Sequence, residues 1–172
     1  SDVYKRQVFA GVGKSAAEIA IALKAGVKCI NVESIAELHK ISRVATELGL
    51  RAPISLRVNP DVDAQTHPYI STGLKGNKFG IAYHEVLKTY REASLLSQID
   101  VVGIDCHIGS QITTTDPYLD ALDKVLDLVE QLKKEGIDIH HLDLGGGLGI
   151  AYSDETPPDI TDFTNTLLNR VA

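Results

Sequence analysis

The sequence predicts an α/β fold, a partial (β/α)8 TIM-type barrel of about five consecutive β-α units of the eight. Three observations lead there. Segments with strand and helix periodicity alternate along the chain, with short connections that imply parallel strands and right-handed crossovers. Two predicted strands end in polar, glycine-bearing stretches: Gly103–Gln111 (GIDCHIGSQ) and His140–Ile150 (HHLDLGGGLGI). No dinucleotide fingerprint accompanies them, since a G-x-G-x-x-G motif begun at Gly145 needs glycine where Ile150 stands. An open doubly wound sheet satisfies the alternation too. The barrel is favoured because the helices recur on one side and the polar strand ends on the other.

The elements follow in order. Val8–Gly11 reads as a strand, and Ser15 with Glu18 forms a capping-box pair that opens a helix to Ala25, stopped by Gly26. Val27–Val32 is the next strand. Ser34 with Glu37 repeats the box, and Ile35, Leu38, Ile41, Ala45 and Leu48 form a helical stripe ending at Gly49. Pro53–Val58 is a third strand, followed by a long polar loop over Asn59–Gly80 of the kind that often carries function. A helix over His84–Ser97 leads to a strand at Val101–Cys106. Pro117 starts the next helix, where its missing N–H costs nothing, and Leu119, Leu122, Leu126, Val129 and Leu132 form one face up to Gly136. His140–Leu144 is the fifth strand, and a weaker helix starts near Ile160. Residues 1–7, SDVYKRQ, are polar and aperiodic and stand apart from the fold as a leader, leaving 8–172 as the barrel domain.

Composition excludes several classes of function. Seventeen Lys and Arg against 23 Asp and Glu give a net charge of −6 with no basic block, which disfavours nucleic acid and anionic membrane as partners. No apolar run approaches the roughly 20 residues of a membrane span. Cys29 and Cys106 sit in apolar strand-like segments, read as buried, reduced thiols suited to a cytoplasmic protein, and they make no metal-ligand spacing with histidine. The chain lacks methionine altogether, which reads as an internal piece of a longer protein.

Three consecutive glycines, Gly145, Gly146 and Gly147, bare the backbone so that its N–H groups can turn to an anion, typically a phosphate. His107 stands at the other polar strand end with Ser110 three residues on; an imidazole can lie against an aromatic ring and a serine hydroxyl can donate to phosphate. Arg57 interrupts an apolar strand, so it must face a solvated mouth or a fixed acceptor. Gly11-Val-Gly-Lys-Ser15 imitates a phosphate loop but has Val8 where the motif needs glycine, and reads as a strand-to-helix turn. His140 and His141 read as surface residues, and Lys124, Lys133 and Lys134 as a solvated helix face.

Three segments, RVNPDVDAQTHPYISTGLKGNKFGI (Arg57–Ile81), HIGSQ (His107–Gln111) and LDLGGGLGIAY (Leu142–Tyr152), resemble the diaminopimelate decarboxylase family of fold-type III pyridoxal-phosphate enzymes. FAGVGKSAAEI (Phe9–Ile19) and INVESIAEL (Ile30–Leu38) are similar to the same family. The glycine and HIGS motifs are shared across the wider group; Thr66–Gly73 and Asn77–Gly80 are more particular to this branch. The resemblance implies pyridoxal 5'-phosphate as cofactor, with His107 against its ring, Ser110, Gly146 and Gly147 at its phosphate and Arg57 near its phenolic side. It implies decarboxylation of meso-2,6-diaminoheptanedioate to L-lysine and CO2 in lysine biosynthesis, by a homodimer acting on a small amino-acid substrate.

The family's Schiff-base lysine motif, of the type YAxKAN, does not occur here, nor does its EPGR-type segment or its C-terminal β-domain, and neither Lys14 nor Lys78 matches the lysine motif. The catalytic groups are therefore not identified, and the chain alone is expected to be inactive. The rival readings are a decarboxylase of another basic amino acid or polyamine precursor, and a non-catalytic barrel relative that binds or regulates.

Overall fold

A computed structural model describes residues 3–62, 79–151, 154 and 156–172. The chain alternates strands and helices: β1 (Val8–Phe9), α1 (Ala16–Ala25), β2 (Cys29–Val32), α2 (Ile35–Leu48), β3 (Ala52–Asn59), β4 (Ile81–Ala82), α3 (Val86–Ser94), β5 (Ile99–Cys106), α4 (Asp116–Lys134), β6 (His141–Asp143) and α5 (Ile160–Val171). All strand pairs are parallel, in the order β1-β2-β3-β5-β6, with β4 beside the end of β3. Residues 63–78 hold most of the predicted Asn59–Gly80 loop. They lie outside the described residues, and so do Thr66–Gly73, Lys78 and Tyr152.

Local chemistry sets the helix ends. The hydroxyl of Ser15 accepts from the Glu18 amide at 3.2 Å while the Glu18 carboxylate accepts from the Ser15 amide at 2.8 Å, a complete capping box. Gly26 and Gly49 close α1 and α2 in the left-handed conformation. The box at Ser34 is only half made. Ser34 caps Glu37, but the Glu37 carboxylate turns to the Glu33 amide and to Lys14. On α4 the buried positions are Pro117, Tyr118, Ala121, Leu122, Val125, Leu128 and Leu132, a face rotated from the predicted stripe. A 3-10 turn at Tyr83–Glu85 occupies the start of the helix expected from His84, and β4 was not foreseen.

The sheet has two chemically distinct faces because successive side chains alternate. Ile30, Val32, Ile54, Leu56, Val58 and Ile104 are buried in the core formed with the helices. The other face carries Cys29, Asn31, Ser55, Arg57, Asp105, His141 and Asp143. The Asn31 side chain on β2 donates to Asp143 Oδ2 on β6 at 3.1 Å. These strands are separated by β3 and β5, a gap of about 14 Å across a flat sheet at ordinary strand spacing, which two such short side chains cannot bridge. The sheet is therefore curled around its polar face, as a barrel wall is and a flat open sheet is not.

Gly103 permits that curl. A Cβ there would lie 2.5 Å from Ser55 Oγ and 2.7 Å from the His141 carbonyl oxygen, and Tyr90 fixes the same residue by donating to its carbonyl at 2.8 Å. We expect Gly103→Ala to cost about 1–3 kcal/mol as overpacking. Urea unfolding measures this, and an unchanged midpoint would show that the strands do not approach so closely.

Candidate functional site

The two polar strand ends come together. β5 runs through Cys106 into His107–Gln111, and β6 runs through Asp143 into Gly145–Ile150. The loops are zipped by backbone bonds: the Ile112 amide donates to the Gly147 carbonyl at 2.9 Å, and the Gly149 amide to the Ile112 carbonyl at 2.8 Å. The Gln111 side chain bonds both the amide and the carbonyl of Ile150. From outside, the Tyr118 hydroxyl on α4 donates to the Gly146 carbonyl at 3.1 Å, its ring set edge-on to Phe163 of α5 at 4.9 Å. Burial pushes the Tyr118 hydroxyl up to about 12, so it stays a donor at neutral pH.

The three glycines have different constraints. Gly145 and Gly147 have φ of +68° and +99°. A Cβ on Gly147 would stand 2.1 Å from the Gly109 carbonyl oxygen, and one on Gly145 would stand 2.7 Å from His107 Cδ2. At Gly146 nothing lies within 4 Å of an added Cβ. The Gly145 amide is taken by Asp143 Oδ1 at 2.9 Å, whereas the Gly146 and Gly147 amides enter no hydrogen bond among the described residues. An open cradle with uncommitted amides beside an imidazole fits a group carrying both a phosphate and a heteroaromatic ring. Ser110 is exposed at the same rim.

His107 is partly covered, its side chain 34% exposed, with Nδ1 3.0 Å from Oδ1 of the fully buried Asp105. That carboxylate raises the imidazole's basicity, more than burial lowers it. Burial in turn raises the Asp105 carboxyl, and His107 opposes the rise. Arg57 finds the fixed acceptor its position demanded: it donates to Glu33 Oε2 at 2.8 Å, with side chains only 11% and 7% exposed. Its guanidinium carbon also lies 5.8 Å from the centre of the Phe79 ring.

Several predicted residues are placed elsewhere. Lys14 is buried, and its amine donates to the carbonyls of Gly11 (2.7 Å) and Asn31 (2.6 Å) and to Glu37 (3.1 Å), so it ties the turn after β1 to β2 and α2. His141 is half-buried rather than exposed: its Nε2 is buried without a hydrogen-bond partner among the described residues, and burial lowers its basicity. His140 is exposed as expected. Lys124 leaves the solvated face to donate to the carbonyls of Pro60 and Asp61, both at 2.9 Å. Cys29 and Cys106 are buried free thiols, the latter pushed up to about 12 by burial. Among the described residues, no cluster of three His, Cys, Asp or Glu could hold a metal, and no helix is long and apolar enough to cross a membrane.

Sequence reasoning missed Asn31, Glu33, Asp105 and Asp143, although a signal for them exists. Polar residues recur two apart in otherwise apolar strands, at Asn31 and Glu33, Ser55 and Arg57, Asp105 and His107, and His141 and Asp143. That period places each pair on one face of its strand.

Comparison with known proteins adds the relatives. A family model described as "Pyridoxal-dependent decarboxylase, pyridoxal binding domain" matches residues 4–172. The chain is 57% identical over 164 residues to diaminopimelate decarboxylase of Haemophilus influenzae, which covers 95% of this chain and 40% of that protein. It is 59% identical over 162 residues to the enzyme of the same name from Neisseria meningitidis serogroup A, covering 94% and 40%. The crystal structure of diaminopimelate decarboxylase from Helicobacter pylori complexed with L-lysine is similar with a TM-score of 0.90 at 44% identity, over 95% of this chain and 42% of that one. Lysine decarboxylase from Selenomonas ruminantium shares the fold, with a TM-score of 0.77 at 20% identity. The chain thus spans about 40% of the length of these curated relatives.

Proposed function

The chain belongs to the pyridoxal-dependent decarboxylase family, and we propose on that premise that it supplies the cofactor-holding wall of a decarboxylase converting meso-2,6-diaminoheptanedioate to L-lysine and CO2. One observation carries the reading: the glycine cradle and His107 share one rim of the sheet, in a chain 57% identical to a diaminopimelate decarboxylase. The L-lysine held by the Helicobacter relative is the product this reaction would leave.

When bound, pyridoxal 5'-phosphate supplies an electron sink for the bond that releases CO2. The chain's own residues hold and orient it. The Gly146 and Gly147 amides and the Ser110 hydroxyl would hold the phosphate, and Tyr118 keeps the glycine loop in place from behind. His107 would lie against the ring. Arg57, clamped by Glu33, presents a fixed cation at the ring's phenolic side. The lysine that would carry the cofactor matches neither Lys14 nor Lys78, so the chain by itself is expected to be inactive. Its two buried free thiols support a cytoplasmic, reducing location, and a homodimer is the proposed assembly.

The test uses the complete polypeptide encoded by the gene. CO2 release is assayed from diaminopimelate, ornithine, lysine and arginine in parallel. Preference for diaminopimelate is expected; preference for another amine would reassign the substrate. No turnover, together with no borohydride-sensitive absorbance band, would favour a binding protein instead. In the same protein, His107→Ala is expected to lower kcat by about tenfold or more, the order seen when a reacting group is misplaced. Unchanged turnover would show that the imidazole does not hold the ring.

A further inference from the structure

Asp105 is fully buried on the polar face, and among the described residues the donor within reach of its carboxylate is His107 Nδ1, 3.0 Å from Oδ1. The cation next nearest in register, Arg57, acts on it without a hydrogen bond among the described residues. A buried carboxylate served this sparsely is costly to keep, and a hydrophobic residue would pack there more cheaply. Among the described residues no other partner accounts for it. The Tyr90 hydroxyl, which packs nearby, is spent on the Gly103 carbonyl, and Arg57, its strand neighbour in register, is spent on Glu33.

We propose that Asp105 is the positioning residue for His107, fixing the proton of the imidazole on Nδ1 and the plane of the ring against Gly145. An ionised carboxylate can only accept, so the ring nitrogen facing it carries hydrogen. The Gly145 Cα closes the other approach, since even a methyl group there would meet the ring at 2.7 Å. The imidazole is thus held at one edge by charge and on one side by bare backbone. This role rests on the reading of His107 as the residue that holds the cofactor ring. The charged groups around the pair are Arg57 on β3, with Glu33 behind it, and Asp143 on β6; all lie on the same polar face.

The experiment compares wild type, Asp105→Asn, His107→Ala and the double variant in the complete polypeptide. Nitrogen-15 NMR of the histidines, recorded without cofactor, reads the tautomer and titration of His107 directly. In wild type, Nδ1–H is expected to predominate, with titration above the ordinary histidine range; in Asp105→Asn the preference relaxes and the titration point falls. With pyridoxal phosphate added, the dissociation constant in Asp105→Asn rises by about tenfold, on the scale of a lost charge-assisted hydrogen bond. That rise vanishes when Asp105→Asn is made in the His107→Ala background. A His107 tautomer and titration indifferent to Asp105→Asn would overturn the proposal, as would an equal rise in the His107→Ala background. A normal NMR result in a wild-type protein that takes up no pyridoxal phosphate would instead overturn the functional reading, and with it the role of the pair in holding a ring.

Discussion

Gly147→Ala is expected to abolish retention of pyridoxal phosphate and to destabilise the loop that binds it. The new Cβ would sit 2.1 Å from the Gly109 carbonyl oxygen, a backbone atom that cannot step aside, at a residue whose φ is +99°. Relief requires parting the two loops, which breaks the paired bonds between Ile112, Gly147 and Gly149. Left-handed strain adds about 1–2 kcal/mol. Misaiming the Gly146 and Gly147 amides forfeits two charge-assisted bonds of about 1.5–3 kcal/mol each, so affinity falls by roughly a hundredfold or more. Spectroscopic titration measures the loss. Gly146→Ala is the control: its methyl group meets nothing within 4 Å, so its melting temperature should stay at the wild-type value. Equal melting of both variants would mean that position 147 is not so confined.

The second large effect is on stability. Arg57→Met strands the Glu33 carboxylate, 7% exposed, without its partner, at a cost of about 3–5 kcal/mol typical of a broken buried pair. With so little solvent around either group, screening recovers little of this. Adding Glu33→Leu should restore much of the loss, because removing both charges removes the desolvation penalty as well. Urea unfolding of the four-member cycle gives the coupling directly. If the double variant is as unstable as Arg57→Met alone, the cost lies in lost packing against Phe79 instead.

What could be read from the sequence was what local rules control. Helix caps at Ser15 and Gly26, the alternation of elements, and the glycine run after a strand all depend on residues a few positions apart. The adjacency of His107 to the glycine run was also legible, because consecutive β-α units tend to place neighbouring strand ends side by side. What stayed hidden depended on register. Glu33 could not be matched to Arg57, 24 residues away, without knowing how β2 and β3 align. Glu37 fits a capping box on its own helix, and only the fold reveals the buried Lys14 amine that draws it away. His141 looks like a solvated strand start until Gly103 brings its strand close enough to half-bury it.

The contact between Asn31 and Asp143 has a mechanical consequence. One Asp143 oxygen aims the Gly145 amide, and the other is leashed to the opposite flank of the curved wall. Loosening the anion-gripping turn is then not fraying at a lone margin. It also costs the Asn31 contact, so the ligand's seat is tied by one carboxylate to a strand three places along the curved wall.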